Sequence, residues 1–328
     1  MYTVVLIPGD GIGPEVSSAA RKIIDATGVA IDWVVEEAGA HMFERTGALV
    51  PDSVFKAIEK HRVALKGPIT TPIGTGFRSI NVLLRQKYDL YANIRPVRSL
   101  GARSGEIDLV IFRENTEDLY AGRETKISDD EVHAIKVITR KASERIAKAA
   151  FEYARANGRK TVTAVHKANI MKLADGLFLD AFRHIATGYP EMKVNEVIVD
   201  NMCMQLVMRP GSYDVIVTEN LYGDILSDLA AGLVGGLGLV PGANIGVDCA
   251  IFEAVHGSAP DIAGKGLANP VAITLSAAMM LDYLGERDAA NAVRAAVGKV
   301  VADKAVITPD LGGSGTTESL TRAIIGAL

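Results

Sequence analysis

The chain contains little cysteine, no excess of basic residues and no apolar run long enough to cross a membrane. Of its 328 residues only Cys203 and Cys249 are cysteines, which excludes a disulfide scaffold and a cysteine-rich zinc site and is typical of a reducing compartment. The net charge of −4 argues against a nucleic acid or an anionic membrane as partner, because both require a clustered basic surface. The apolar stretches at residues 225–240 and 271–281 are interrupted or too short to span a bilayer.

The first predicted strand does not resemble a targeting segment. Residues 3–7 are apolar, but no basic region stands before them, so they predict a buried strand rather than a signal peptide. We therefore expect a cytoplasmic protein, or a protein of the mitochondrial matrix if a presequence was removed.

Strands and helices alternate along the chain. Short apolar strands at residues 4–7, 31–35 and 63–65 are separated by helical segments, and the alternation continues toward the carboxyl terminus. This pattern predicts an α/β fold with a largely parallel sheet and helices on its faces. A chain of this length has room for two domains, and residues 99–105 and 235–246 are the predicted crossovers between them.

Glycine is abundant, with 32 residues in short clusters. The first cluster, at residues 9–13, lies between a predicted strand and a predicted helix, as in a dinucleotide-binding fold. The fingerprint G-x-G-x-x-G, however, requires a third glycine at position 14, which is Pro14. A classical Rossmann site is therefore not predicted.

Arginines cluster in the first third of the sequence: Arg78, Arg85, Arg95 and Arg113. Ser79 stands at a predicted helix start, where its hydroxyl and the free backbone N–H groups can bind an anion. Guanidinium groups bind carboxylates bidentately, so several converging arginines suit a ligand with two or three carboxylates. The spacing alone leaves a solvated, salt-bridged helix face as the alternative.

Two aspartates are spaced for a metal site. Asp224 and Asp228 lie four residues apart on a predicted helix, and Asp200 follows a predicted strand. Oxygen ligands alone indicate a hard cation, Mg²⁺ or Mn²⁺. Solvated acids on a surface helix remain the alternative, although the flanking residues are apolar.

Three further segments carry candidate chemistry. Lys167 at a strand end and Tyr120 are possible acid–base groups. His256 opens a loop rich in glycine and proline that also contains Asp261. Such a loop can hold an adenosine, and an acid near the ribose 2′-hydroxyl favours NAD over NADP. An ordinary ordered loop is the alternative.

Six segments, at residues 9–15, 70–96, 113–120, 166–172, 220–228 and 256–269, together resemble the β-decarboxylating dehydrogenases, which include isocitrate, 3-isopropylmalate and homoisocitrate dehydrogenases. The motif Asn-Leu-x-Gly-Asp-Ile-Leu-Ser-Asp at 220–228 is highly specific. The resemblance implies an isocitrate/isopropylmalate dehydrogenase-like two-domain α/β fold, with a mixed, largely parallel sheet that is not Rossmann. It also implies a discontinuous large cofactor-binding domain (1–98 plus 245–328). The small domain (99–244) would hold the dimer interface and the metal and substrate residues.

The resemblance assigns a role to each matching residue. The implied catalytic residues are Tyr120 as general acid and Lys167 as acceptor of the hydroxyl proton. The implied substrate-binding residues are Ser79, Asn81, Arg85, Arg95 and Arg113. The implied cofactor-binding residues are Thr70, Thr71, His256, Gly257, Asp261, Ile262 and Asn269. The implied metal ligands are Asp200, Asp224 and Asp228, with Lys167 and Asp200 contributed by a neighbouring subunit.

The resemblance implies oxidative decarboxylation of isocitrate, a small tricarboxylate, to 2-oxoglutarate, a step of the tricarboxylic acid cycle. It implies NAD and either Mg²⁺ or Mn²⁺ as cofactors. It also implies a homo-oligomer, at least a dimer with shared active sites. Homoisocitrate or 3-isopropylmalate as substrate, and a non-catalytic regulatory subunit, remain the alternatives.

Overall fold

The computed structural model describes residues 1–70, 79–101 and 106–328. The strands in these ranges are β1 (Tyr2–Ile7), β2 (Ile31–Val35), β3 (Val63–Lys66), β4 (Ala92–Arg98), β5 (Asp108–Glu114), β6 (Glu124–Lys126), β7 (Val132–Ala134), β8 (Thr161–His166), β9 (Lys193–Ile198), β10 (Val215–Thr218), β11 (Pro241–Ile245) and β12 (Ala250–Ala254). The helices are α1 (Gly13–Ala26), α2 (Ala40–Thr46), α3 (Asp52–His61), α4 (Ile80–Lys87), α5 (Arg140–Ala156), α6 (Ala174–Ala186), α7 (Val199–Met208), α8 (Asn220–Val234), α9 (Val271–Tyr283), α10 (Arg287–Asp303) and α11 (Thr317–Ile325).

One sheet runs through the described parts of the chain in the order β2-β1-β3-β12-β11-β4-β5-β10-β8-β9. Strands β2, β1, β3 and β12 are mutually parallel, and so are β5, β10, β8 and β9. Strand β11 is antiparallel to both its neighbours, and β4 is antiparallel to β5, so the two parallel blocks point in opposite directions. The predicted α/β fold with a mixed, largely parallel sheet is confirmed.

Helices cover both faces of this sheet because its strands are apolar on both sides. Strand β10, with the sequence VIVT, is buried along its whole length. Helix α9 is apolar almost all round and packs against β11 and β12. In the other half, Phe151 of α5 stacks between Phe182 of α6 and Tyr189 at centroid distances of 5.5 and 4.8 Å.

Strands β6 and β7 form a separate two-stranded antiparallel ribbon, with every residue exposed. No helix within residues 1–70, 79–101 and 106–328 is both long and apolar enough to cross a membrane.

The second predicted crossover contains a strand that the sequence analysis did not predict. Residues 241–245 form β11, a central strand of the sheet. The glycines on either side of this strand, together with Asn244, reduced its apolar signal, since these residues are rare inside strands. The division into residues 1–98 plus 245–328 and residues 99–244 stays a prediction.

Candidate active site

Arg95 and Arg113 share one face of the sheet, and α8 covers that face. In the antiparallel pairing of β4 with β5, Arg113 lies opposite Asn93, two residues before Arg95, so alternation points both arginines the same way. Arg113 is 1% exposed, and its Nε donates to Asn220 Oδ1 at 2.9 Å. One of its terminal nitrogens bonds Asp224. The start of α8 is therefore anchored directly on the sheet.

Arg95 joins the two aspartates of α8. Its Nη1 lies 3.3 Å from Asp224 Oδ1 and 3.8 Å from Asp228 Oδ1, and it also donates to Ser227. The two carboxylates lie one helical turn apart and repel each other, and the guanidinium group offsets this repulsion. Burial alone would raise the pKa of Asp224, but Arg113 and Arg95 lower it below the usual range. Asp224 is therefore ionised at neutral pH.

Tyr120 completes this group of side chains. It lies on a single helical turn, Asp118–Ala121, and its hydroxyl donates to Asp224 Oδ2 at 2.5 Å. The guanidinium carbon of Arg113 lies 4.9 Å from the centre of the Tyr120 ring. Burial and the hydrogen bond to Asp224 raise the pKa of Tyr120. The hydroxyl therefore keeps its proton at neutral pH, as a proton donor requires.

Arg85 and Glu253 form a buried ion pair next to Arg95 and line the same cavity. Arg85 Nη2 lies 3.4 Å from Glu253 Oε1, and Lys66 Nζ lies 2.6 Å from Glu253 Oε2. All three side chains are buried. A cavity of about 140 Å³ opens beside them, lined by these residues together with Asn81, Asn93, Arg95, His256 and Gly257. The cavity thus joins predicted substrate residues to the predicted cofactor loop.

Several N–H groups of the buried guanidinium groups make no hydrogen bond within the described residues. Within the described residues, Arg85 Nε, Arg95 Nε and Arg113 Nη2 are buried without a hydrogen-bond partner. Burial and the positive charge of neighbouring arginines lower the pKa of Arg95 and of Arg113. Their charges are under-compensated by protein carboxylates, so an anionic ligand with several carboxylates would be strongly stabilised here.

Ser79 and Asn81 lie where a predicted helix begins. Ser79 directly precedes α4, and Asn81 Oδ1 is buried with no partner in the described part of the chain. Arg78 and Thr71, also singled out in the sequence, lie outside the described residues.

Lys167 and Asp200 form a separate pair at the same edge of the sheet. Lys167 follows β8, Asp200 lies in the first turn of α7 after β9, and Lys167 Nζ donates to Asp200 Oδ1 at 2.6 Å. Asp200 is largely exposed. Across the described ranges, no group of three or more His, Cys, Asp or Glu side chains is placed to hold a metal, so Asp200 does not join Asp224 and Asp228 within one chain.

Asp224 and Asp228 nevertheless suit a hard cation. Their donors are carboxylate oxygens only, which Mg²⁺ and Mn²⁺ prefer. The side chain of Asp228 is 58% exposed, and its Oδ1 lies 3.8 Å from Arg95 Nη1. The two residues therefore offer an accessible partial ligand set.

The loop after β12 meets the loops after β3 and β1. The hydroxyls of Ser258 and Thr70 lie 2.7 Å apart, and Thr70 N–H donates to Asp10 at 2.9 Å. Burial lowers the pKa of His256, so its ring is neutral at neutral pH, and its buried Nε2 has no partner among the described residues. A neutral ring nitrogen of this kind can form a hydrogen bond with an uncharged nucleobase.

The other predicted cofactor positions follow along the same loop. Asp261 and Ile262 lie on a single helical turn, Pro260–Ile262, and Asp261 is exposed. Gly257 is exposed, and no atom of the described residues lies within 4 Å of the place where a Cβ would stand. Asn269 is buried and bonds Asp310 at 2.9 Å. The carboxylate of Asp261 is therefore accessible to a ribose hydroxyl, whereas Asn269 connects its loop to Asp310.

The sequence analysis assigned no role to several polar residues that build the site, namely Lys66, Asn93, Asn220, Ser227, Asn244 and Glu253. Asn244 Nδ2 donates to Glu253 Oε1 at 2.8 Å, and Asn93 Nδ2 donates to Asn244 Oδ1 at 2.9 Å. For Lys66 the sequence did contain a signal, because a lysine stands inside the otherwise apolar strand VALK and lysine is rarely buried without a partner.

Comparisons with known proteins agree over the whole length. The family model described as isocitrate/isopropylmalate dehydrogenase matches residues 3–325. An isocitrate/homoisocitrate dehydrogenase from Thermus thermophilus is 53% identical, covering 100% of this chain and 98% of that protein. The human mitochondrial isocitrate dehydrogenase [NAD] subunit alpha is 49% identical, covering 99% and 90% of the two chains.

A solved structure gives the same result for the fold. The crystal structure of isocitrate dehydrogenase from Methylococcus capsulatus superposes with a TM-score of 0.96 at 52% identity, covering 100% of this chain and 99% of that one. The family suggested by the six sequence segments is thereby confirmed. The chain belongs to the isocitrate/isopropylmalate dehydrogenase family of β-decarboxylating dehydrogenases.

Proposed function

We propose that this protein catalyses the oxidative decarboxylation of isocitrate to 2-oxoglutarate with reduction of NAD⁺. One observation carries the proposal: Arg85, Arg95 and Arg113 are buried and have donors without partners in the described structure, beside Tyr120 and Asp224. A substrate with three carboxylates supplies the negative charge that these groups lack. Family membership supports the same reaction class.

The proton transfers fall to two side chains. Lys167 Nζ accepts the proton of the C2 hydroxyl as hydride leaves that carbon. Tyr120 then donates its hydroxyl proton to the carbon that has lost CO₂. The three arginines hold the substrate carboxylates in place, and this orientation of the reacting carbon lowers the barrier. Lys167 reaches the site across a dimer interface in this proposal.

We place the metal ion and NAD⁺ beside the side chains whose chemistry fits each of them. Mg²⁺ or Mn²⁺ held by Asp224 and Asp228, with Asp200 from the partner subunit, supplies a Lewis acid for the charge that develops during decarboxylation. NAD⁺ supplies the hydride acceptor. Thr70, His256 and Asn269 belong to the loops proposed to hold it, and the exposed carboxylate of Asp261 favours a free ribose 2′-hydroxyl over a 2′-phosphate.

Homoisocitrate is the second candidate substrate, because the Thermus thermophilus relative is named for both acids. Ser79 and Asn81 favour isocitrate in our proposal, since they match positions that contact its γ-carboxylate and the nicotinamide. The buried, unpartnered Asn81 Oδ1 among the described residues is consistent with such a contact.

Exposed apolar side chains support a homodimer. In α7, Val207 and Met208 are 62% and 70% exposed, and Ile225 of the adjacent α8 is 50% exposed. An apolar surface of this kind is typical of an interface between subunits. Asp200 lies in the first turn of α7, Lys167 is hydrogen-bonded to it, and α8 contains Asp224. Pairing these helices between subunits would therefore bring Lys167 and Asp200 toward the partner's Asp224.

An assay of the purified protein tests the function. NADH formation is measured with Mg²⁺ and isocitrate, homoisocitrate or 3-isopropylmalate, then with EDTA and with NADP⁺ in place of NAD⁺. We expect isocitrate with NAD⁺ to be preferred and EDTA to abolish turnover. Preference for homoisocitrate would establish the second candidate. No activity with any of the acids would contradict the proposal and favour a non-catalytic regulatory subunit.

A further inference from the structure

A buried ion cluster lies at the start of α8, outside the residues proposed to bind ligands. The ammonium of Lys136, between β7 and α5, lies 2.5 Å from Asp175 Oδ1 and 2.5 Å from Glu219 Oε2. It also lies 4.4 Å from the centre of the Tyr222 ring. Asp175 and Glu219 are 0% and 1% exposed. One cation thus holds together two buried carboxylates that would otherwise repel each other.

Asp175 connects this cluster to Lys167. Its Oδ2 accepts the backbone N–H of Lys167 at 2.6 Å, while its Oδ1 contacts Lys136. The bond fixes the chain where β8 ends, and from there the Lys167 side chain reaches Asp200. The position of the Lys167 backbone therefore depends on how Asp175 is held.

Glu219 connects the cluster to the other half of the catalytic machinery. It directly precedes α8, the helix that contains Asp224 and Asp228. The Tyr120 turn is tied to the same helix start, because Asp118 Oδ2 accepts the N–H of Leu221 at 2.8 Å. A shift of Glu219 would therefore move the α8 start and the Tyr120 turn together.

We infer that Lys136 is a positioning residue for the reaction: its ammonium fixes the Lys167 segment relative to the start of α8 and the Tyr120 turn. This inference rests on the proposed function. The ammonium of Lys136 contacts Asp175, Glu219 and the Tyr222 ring, which are not among the proposed ligand-binding residues, so it acts through Asp175 and Glu219. Since small misplacements of catalytic groups slow the chemical step more than they weaken binding, its loss should lower kcat far more than it raises KM.

The test compares Lys136→Met with a matched control, Arg159→Met. Arg159 also bridges two carboxylates, at 2.5 Å from Asp108 and 2.9 Å from Asp214, but these residues lie at the amino ends of β5 and β10, away from the site. We expect Lys136→Met to lower kcat for isocitrate about 100-fold with KM changed less than about threefold. Arg159→Met should lower the Tm to a similar degree and leave kcat within about twofold.

A second variant separates positioning from unfolding. Lys136→Met combined with Glu219→Gln removes the ammonium and replaces one of the two carboxyl groups that it bridges by an uncharged amide, so the bridge is lost without leaving two carboxyl groups facing each other. We expect it to fold and to keep the low kcat, and Lys136→Arg, which retains a cation between the carboxylates, to recover part of the loss.

Wild-type kcat in any folded Lys136 variant would overturn the inference, as would an equal loss of kcat in Arg159→Met. A wild-type protein with no activity on isocitrate or homoisocitrate would instead overturn the proposed function, and the positioning role with it. Activity in the wild type and in Lys136→Met alike would overturn only the positioning role.

Discussion

Tyr120 and Lys167 are the two residues on which the proposed proton transfers depend. We expect Tyr120→Phe and Lys167→Met each to lower kcat by about two to four orders of magnitude, because each removes the group that moves a proton. Circular dichroism and Tm should stay close to those of the wild type.

Tyr2→Phe is the matched control for the tyrosine. It also removes a hydroxyl that donates to a carboxylate, Glu286 at 2.8 Å, but this bond lies far from the site at the start of β1. Wild-type turnover in Tyr120→Phe or in Lys167→Met would contradict the assignment of that residue.

Glu253 gives a prediction for stability. Burial alone would raise the pKa of Glu253, but Lys66 and Arg85 lower it to about 2, below the usual value of 4.5. Its contribution to the free energy of unfolding is therefore fully present above pH 4.5 and is lost as the pH falls toward 2. Glu253→Gln should lower the unfolding free energy at pH 7 by roughly 3 kcal/mol, because it leaves Lys66 buried without a carboxylate.

Urea denaturation of both proteins from pH 7 to pH 3 measures this difference. It should shrink as the pH falls below 4.5. The control is Glu37→Gln, which removes an exposed ion pair with Arg45 and should cost less than about 1 kcal/mol at any pH. A difference for Glu253→Gln that does not change with pH would show that the loss does not come from ionisation.

At the scale of one element, α8 depends on a glycine. A Cβ added to Gly223 would meet Arg113 Cγ at 2.5 Å and Arg113 Cβ at 2.6 Å. Gly223→Ala must therefore displace either α8 or the buried Arg113 side chain. We expect kcat/KM for isocitrate to fall about 100-fold, because the arginine and the aspartates separate.

Gly232→Ala on the same helix is the control, since a Cβ there meets nothing within 4 Å among the described residues. It should raise the unfolding free energy by about 1 kcal/mol and leave kcat/KM unchanged. If Gly223→Ala kept full activity, the close packing of α8 on Arg113 would not be needed for function.

The elements also show what the sequence could predict. Helix α8, its aspartates and most buried strands followed from apolar patterning and from a specific motif. Strand β4 was missed because its polar residues, Asn93 and Arg95, point into the site, so it lacks a continuous apolar run. The ion cluster of Lys136 could not be predicted, because its members are 39 and 83 residues apart in the chain.

At the scale of the whole molecule, the antiparallel strands β11 and β4 join two oppositely directed parallel blocks. Arg95 lies on β4, where the two blocks meet, and Arg113 lies on the neighbouring β5. The His256 loop follows β12 of the first block, and Lys167 and Asp200 follow β8 and β9 of the second. Arg95 and the His256 loop thereby line one cavity although they lie far apart in the sequence. Periodicity along the sequence could not reveal this arrangement, because strand order depends on long-range pairing.

The proposed dimer gives a prediction at this scale. Val207→Asp places a charge among the exposed apolar side chains of α7, so we expect a monomer and a loss of activity greater than about 100-fold. Light scattering coupled to gel filtration measures the mass. The control is Val247→Asp, at a 78% exposed position between β11 and β12, which should leave mass and activity unchanged. A fully active Val207→Asp monomer would contradict shared active sites.

The stoichiometry of the reaction shows whether this protein oxidatively decarboxylates isocitrate. Purified protein is incubated with isocitrate, NAD⁺ and Mg²⁺, and NADH, CO₂ and 2-oxoglutarate are measured over the same time course. We expect one NADH, one CO₂ and one 2-oxoglutarate to form for each isocitrate consumed. NADH formed without CO₂, or no NADH at all, would contradict the proposed function.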